Sequence, residues 1–91
     1  MAIYAVQITY ADRAARDRAR PNHRAYLQSQ LEAGKLVKSG PYVDDSGALL
    51  IYETESEAEL QEILSHDPYW TTKGCLGDVS IKEWTILFDR G

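Results

Sequence analysis

The order in which two kinds of apolar spacing alternate along the 91 residues is the strongest constraint on how this chain folds. Ala2 to Tyr10 places Ile3, Ala5 and Gln7 on one side and Tyr4, Val6 and Ile8 on the other, the period of a strand. Apolar residues on both sides make it a central strand. From Pro21, which suits a first helical position, His23, Leu27 and Leu31 recur at helical spacing, flanked by Tyr26 and Gln30. Gly34 sits where a left-handed cap residue belongs. The polar, alanine-rich run Ala11 to Arg20 reads as either a loop or a fraying helical turn. Lys35 to Val43 and Ala48 to Glu53 are strands, joined by the turn residues Asp44-Asp45-Ser46-Gly47. Ser56 and Glu59 form a capping box for a second helix, with Ala58, Leu60, Ile63 and Leu64 as its buried stripe and Pro68 as its stop. Val79 to Phe88 alternates again and makes the fourth strand.

The resulting order is β-α-β-β-α-β. It predicts an α+β, ferredoxin-like fold: a four-stranded antiparallel sheet with two helices on one face. Right-handed crossovers then bring three distant stretches to one end of the molecule. They are the start of the first helix with His23, the end of the second strand with Ser39-Gly40-Pro41, and the end of the second helix with Asp67. Helices on one face leave the other face of the sheet to be covered, with Ile3, Ala5, Leu49, Ile51 and Ile81 as parts of it. A second copy of the chain is the expected cover. The whole length reads as one domain.

That convergence nominates chemistry. A histidine at a helix N-terminus is disfavoured as a cation, and a neutral imidazole takes a proton. Asp67 is placed to accept a hydrogen bond from one ring nitrogen, which fixes the tautomer and stabilises the imidazolium. The competing reading is a half-buried histidine capped by a carboxylate. Ser39 and Tyr69 are candidate donors to a substrate oxygen, or else turn and packing residues. Gly40 and Pro41 shape the strand end beside a ligand. Arg20 is a candidate anchor for an anionic substrate, or a solvated helix start. Trp70 and Trp84 read as packing residues. His66 reads as a last-turn residue of the second helix, and Cys75 as structural or exposed.

Other classes are disfavoured. A net charge of −4 and a pI near 5.0 argue against a general nucleic-acid binder. The cluster Arg13, Arg16, Arg18, Arg20 and Arg24 reads as a solvated face. No His, Cys or Asp spacing matches a metal motif, and no glycine-rich phosphate loop is present, so neither metal nor cofactor is expected. The single cysteine, with no leader-like or membrane-length apolar run, predicts a cytoplasmic protein without a membrane partner.

Taken together, Arg20-Pro21-x-His23-x-x-Tyr26-Leu27, Gly34-x-Leu36, Ser39-Gly40-Pro41, Gly47, Asp67-Pro68-Tyr69 and Val79-x-Ile81-x-x-Trp84 resemble the YciI-like (YCII-related) family over nearly the whole chain. The resemblance implies a subunit that packs sheet against sheet into a dimeric α/β barrel. It also implies a His–Asp pair in a pocket, carried here by His23 and Asp67. One branch of the family is a dehydrochlorinase of a chlorinated hydroxyhydroquinone. The Asp44–Gly47 turn is short where some relatives carry insertions, so the pocket wall differs. Two functions are therefore expected to compete. One is a cofactor-independent lyase or isomerase using His23 and Asp67 on a small molecule. The other is a non-catalytic dimer that binds a small ligand or a protein.

Overall fold

The alternation of Ala2–Tyr10 forms a strand, β1, whose Tyr4, Val6 and Ile8 are buried under the helices. The computed structural model describes all 91 residues. After β1 come α1 (Arg13–Glu32), β2 (Leu36–Pro41), β3 (Gly47–Thr54), α2 (Glu57–Ser65), a short α3 (Pro68–Thr71) and β4 (Leu76–Glu83). The sheet is antiparallel throughout, in the order β2-β3-β1-β4, with β1 and β3 at its centre. The expected α+β, ferredoxin-like architecture is the one observed. Leu60 and Leu64 of α2, Ala15 and Ala19 of α1, and Tyr69 of α3 close the core over Val6, Ile8, Leu50 and Tyr52.

The first helix begins well before Pro21. Asp12 caps it, accepting hydrogen bonds from the Ala14 and Ala15 amides. Alanines at 14, 15 and 19 favour the helical state strongly enough to carry it through Pro21, which cannot donate a hydrogen bond to the Asp17 carbonyl. Pro21 is therefore internal, and His23 lies mid-helix rather than at an N-terminus. The end-charge argument for a neutral imidazole falls away, because that field decays within the first turn.

Of the arginine cluster, Arg13, Arg18 and Arg24 are exposed as a solvated face requires, but Arg16 and, in part, Arg20 are not. Arg16 is only 3 % exposed and makes a bidentate pair with Asp45, Nη1 to Oδ1 at 3.0 Å and Nη2 to Oδ2 at 3.1 Å. Its guanidinium also lies 4.5 Å from the centre of the Tyr10 ring. Arg13 reaches Asp45 Oδ2 at 3.1 Å and Arg20 reaches Oδ1 at 3.5 Å. Asp45 holds a left-handed backbone (φ 61°), which an Asp tolerates better than most residues. One carboxylate thus pins the β2–β3 turn to the start of α1.

The fourth strand is displaced toward the N-terminus of its expected range. Leu76–Asp78 joins the sheet despite Gly77, because the Asp78 amide donates to Thr9 Oγ1 at 2.7 Å beside a register shift in β1. Its last bond to the sheet is Trp84 N–H to the Ile3 carbonyl at 2.7 Å. β1 starts at Ala2, so Thr85–Phe88 keep a strand-like pattern without a strand to pair with. Ile81 sits opposite Val6 and packs against the core, so it does not belong to the open face. Ala58 is exposed, which narrows the buried stripe of α2 to Leu60, Leu64 and, in part, Ile63. The capping box is present in a shifted form: Ser56 Oγ accepts from Glu59 N–H, while Glu59 accepts from the Glu55 amide.

Two tests probe this arrangement. A Cβ at Gly47 would stand 2.0 Å from the Ile8 carbonyl oxygen, whereas one at Gly40 would meet nothing within 4 Å. Chemical denaturation should show Gly47→Ala losing about 1–3 kcal/mol and Gly40→Ala changing little; equal losses would contradict the packing of β3 on β1. Hydrogen bonds from Arg16 hold the Asp45 carboxyl below its ordinary range, with burial opposing. A lowered folded value stabilises above the unfolded pKa and is lost as pH falls. The melting-temperature gap between wild type and Asp45→Asn should thus be fully open at neutral pH and close below roughly pH 4.

Candidate functional site

Asp67 ends one helix run and starts another. α2 stops at Ser65 and His66 caps it. Asp67 then caps α3, its Oδ1 accepting from the Tyr69 amide at 2.9 Å. The same Oδ1 lies 2.7 Å from His23 Nδ1 across a gap of 44 residues. Asp67 is 0 % exposed and His23 6 %. A carboxylate oxygen accepts, so Nδ1 carries the hydrogen and a neutral ring keeps its lone pair on Nε2. Tyr69 holds the imidazole from its face: the two rings are stacked with centres 3.6 Å apart and planes 6° from parallel.

In front of His23 is a cavity of about 150 Å³. Arg20, His23, Arg24 and Leu27 of α1 line one side of it, and Ser39, Gly40 and Pro41 of β2 the other. Ala48, Leu50, Tyr10 and Tyr69 complete the wall. Ser39 and Pro41 are in register with Leu50 and Ala48, on the side of the sheet that faces the helices. Arg20 donates from Nε to the Tyr69 hydroxyl at 3.4 Å. Burial pushes the Tyr69 phenol up, with Arg20 pulling the other way, so a protonated hydroxyl faces neutral solutions. All seven residues nominated from the sequence are thereby gathered, six along the cavity and Asp67 behind His23. Gly40 leaves open space but is not required by crowding.

Sequence reasoning missed Tyr10, Leu27 as a lining residue, and Tyr52. Tyr10 was legible: it continues the Tyr4-Val6-Ile8 face by one period to the end of β1. Its ring meets Tyr69 edge-on at 5.8 Å between centres. Tyr52 and Asp67 hold the two buried side-chain oxygens that lack a hydrogen bond, Oη and Oδ2. Burial, and after it the charge of Asp67, push the Tyr52 phenol well up. Cys75 is fully buried, and burial followed by Asp67 pushes its thiol up as well, which makes it a poor nucleophile. His66 is outside the site, with Nε2 3.0 Å from Glu62 Oε1 on the surface. No three His, Cys, Asp or Glu side chains converge as a metal-holding group.

The arrangement orients a histidine toward a small cavity whose charged wall groups are cations. Arg20 and Arg24 line it, while the one nearby buried carboxylate is turned to Nδ1 of His23. A ring nitrogen that can accept a proton and two guanidinium groups therefore line the same cavity.

Removing one partner of a buried pair costs more than removing an unpaired group. His23→Ala should destabilise by about 3–5 kcal/mol, because it strands Asp67. Tyr52→Phe should leave stability unchanged or raise it, because the lost hydroxyl has no partner. Urea unfolding of both variants checks the ranking, and the reverse order would contradict it.

Residues 2–85 match the family described as the YCII-related domain. No curated protein matches the chain. Among solved structures, the chain is similar to 5-chloro-2-hydroxyhydroquinone dehydrochlorinase (TftG) from Burkholderia phenoliruptrix AC1100, in complex with 2,5-dihydroxybenzoquinone. The TM-score is 0.78 at 22 % identity, over 91 % of this chain and 93 % of that one. It is also similar to Rv0793 from Mycobacterium tuberculosis, with a TM-score of 0.65 at 13 % identity over the full length of both. These likenesses are likenesses of fold. The match over residues 2–85 goes further: the chain belongs to the YCII-related domain family.

Proposed function

We propose that this protein is a small-molecule enzyme, a cofactor-independent lyase or isomerase in which His23 is the general acid–base. The observation that carries the reading is the 2.7 Å bond from His23 Nδ1 to buried Asp67, on a ring that also lines a cavity. His23 Nε2 takes a proton from the substrate, and Asp67 stabilises the imidazolium that results. In an elimination the electron pair of the broken C–H or O–H bond forms a new double bond as the leaving group departs with its own pair. In an isomerisation the imidazolium returns the proton at another atom. Arg20 holds the developing oxyanion, with the Tyr69 hydroxyl and Ser39 as neutral donors beside it. Gly40 and Pro41 give the shape of the wall.

The cavity volume points to a single-ring or shorter substrate, since an apolar cavity of about 150 Å³ accommodates benzene. The solved dehydrochlorinase of similar fold, bound to a dihydroxybenzoquinone, supports an oxygenated ring as the class to screen first. Family membership supports the same direction.

The active form is a homodimer in this reading. The face of the sheet away from the helices carries half-buried Ile3, Ala5 and Leu49, with Trp84 at 47 % exposure at its margin; Ile51, expected on this open face, is already buried within the single chain. Covering it with the same face of a second copy removes Trp84 and these half-buried apolar side chains from water.

Screening halogenated and hydroxylated single-ring compounds for loss of halide or a shift in absorbance tests the activity. For any compound turned over, His23→Ala and Asp67→Asn should each lower kcat/KM by roughly 10²–10⁴-fold. Turnover that is indifferent to both would exclude the mechanism. Binding without turnover, equally tight in His23→Ala, would favour a non-catalytic ligand-binding dimer. Sedimentation at micromolar concentration should give a dimer that substitution of the exposed Trp84, as Trp84→Asp, dissociates; a wild-type monomer would contradict the assembly.

A further inference from the structure

A second depression lies next to the His23 cavity. A groove of about 480 Å³ runs between α1 and β2 and shares Arg24, Leu27 and Ser39 with the first cavity. Its floor and walls include Leu31, Leu36 and Val37. The stripe His23-Leu27-Leu31 that defines the inward side of α1 therefore does not end in the core. His23 is buried, Leu27 is half-buried, and Leu31 is 46 % exposed; across from it Val37 is 38 % exposed. These are large apolar side chains in one line that leads out of the site. At the junction stands Arg24. Unlike Arg13, Arg16, Arg20 and Lys35, it has no carboxylate within ion-pair distance.

We propose that this groove is a second subsite, and that the ligand of the protein is an amphipathic carboxylate: a compact ring or enolisable head beside His23, and an apolar chain laid along Leu27, Leu31, Leu36 and Val37. The inference rests on the reading of the His23 cavity as a substrate site. Two features select this occupant. The first is continuity, since the groove and the cavity share three residues and one helix face. The second is charge, since Arg20 and Arg24 at the inner end attract an anionic head, while the outer part, apart from Gln28 and Lys38, offers apolar side chains. A purely polar substrate would leave Leu31 and Val37 facing water, and a purely apolar one would leave Arg24 uncompensated. The inner cavity alone is too small for the whole of such a molecule; cavity and groove together accept it.

Calorimetric titration with benzoate and with 4-butyl- and 4-hexylbenzoate tests the proposal on the intact protein. The dissociation constant should fall roughly two- to fourfold for each methylene that enters the groove. In Leu31→Glu and, separately, Val37→Glu, the ratio of the benzoate and 4-hexylbenzoate constants should drop toward one. Both positions are surface-exposed, and a far-ultraviolet spectrum matching wild type accompanies each measurement. Affinity that is independent of chain length, or a chain-length gain that survives both substitutions, would overturn the groove as a subsite while leaving the His23 cavity intact. Failure of all three benzoates to bind would overturn the anionic head site and, with it, the groove.

Discussion

One carboxylate oxygen organises this molecule. Asp67 Oδ1 receives the amide of Tyr69, which starts the short helix α3, and lies against Nδ1 of His23 on α1. That double engagement ties α1 to the junction of α2 and α3 at a point of complete burial. It also places the Tyr69 ring flat against the imidazole. A buried carboxylate is costly unless paired and hydrogen-bonded. Here the pairing group is the one side chain of the cavity suited to proton transfer, so the contact that stabilises the fold also orients the histidine. The second carboxylate oxygen stays unpaired, as does the Tyr52 hydroxyl. Unpaired buried oxygens of this kind are uncommon in folded proteins, and their cost is tolerated more often at functional sites than elsewhere.

A second carboxylate, Asp45, holds the β2–β3 turn against α1. It gathers Arg13, Arg16 and Arg20 from α1 onto the β2–β3 turn. The bidentate Arg16 contact is the strong one; Arg13 is exposed and adds little. Because Arg20 belongs to this cluster and also donates to the Tyr69 hydroxyl, its guanidinium is held at the mouth of the cavity rather than free to swing. The two carboxylates thus fix His23 and Arg20 along the α1 side of the cavity.

Much of this was legible in the residues. Strand periodicity placed β1 and β3 closely, and the turn chemistry of Asp44–Gly47 placed the hairpin. Topology brought His23, Asp67 and Ser39-Gly40-Pro41 together, although the reason given for His23 was wrong. Pro21 is a strong mark of a helix start, but Asp12 is an equally good cap and the alanines between them sustain the helix. What mattered for convergence was the face of α1, not its end, and the His23-Leu27-Leu31 spacing reports the face. The end of β4 was not legible, because the pattern of Trp84 to Phe88 is that of a strand, and only the length of β1 shows that no partner strand remains. Arg16 was not legible either. An arginine becomes a core residue only when a carboxylate from another element meets it, and Asp45 lies 29 residues away.

The central claim is that His23, oriented by Asp67, faces a small-molecule site. A crystal structure of the protein soaked with catechol addresses it most directly. The account predicts the ring in the cavity between α1 and β2, with one oxygen at roughly 2.6–3.2 Å from His23 Nε2 and within reach of Arg20. A catechol bound elsewhere, with the cavity closed over His23, would contradict it.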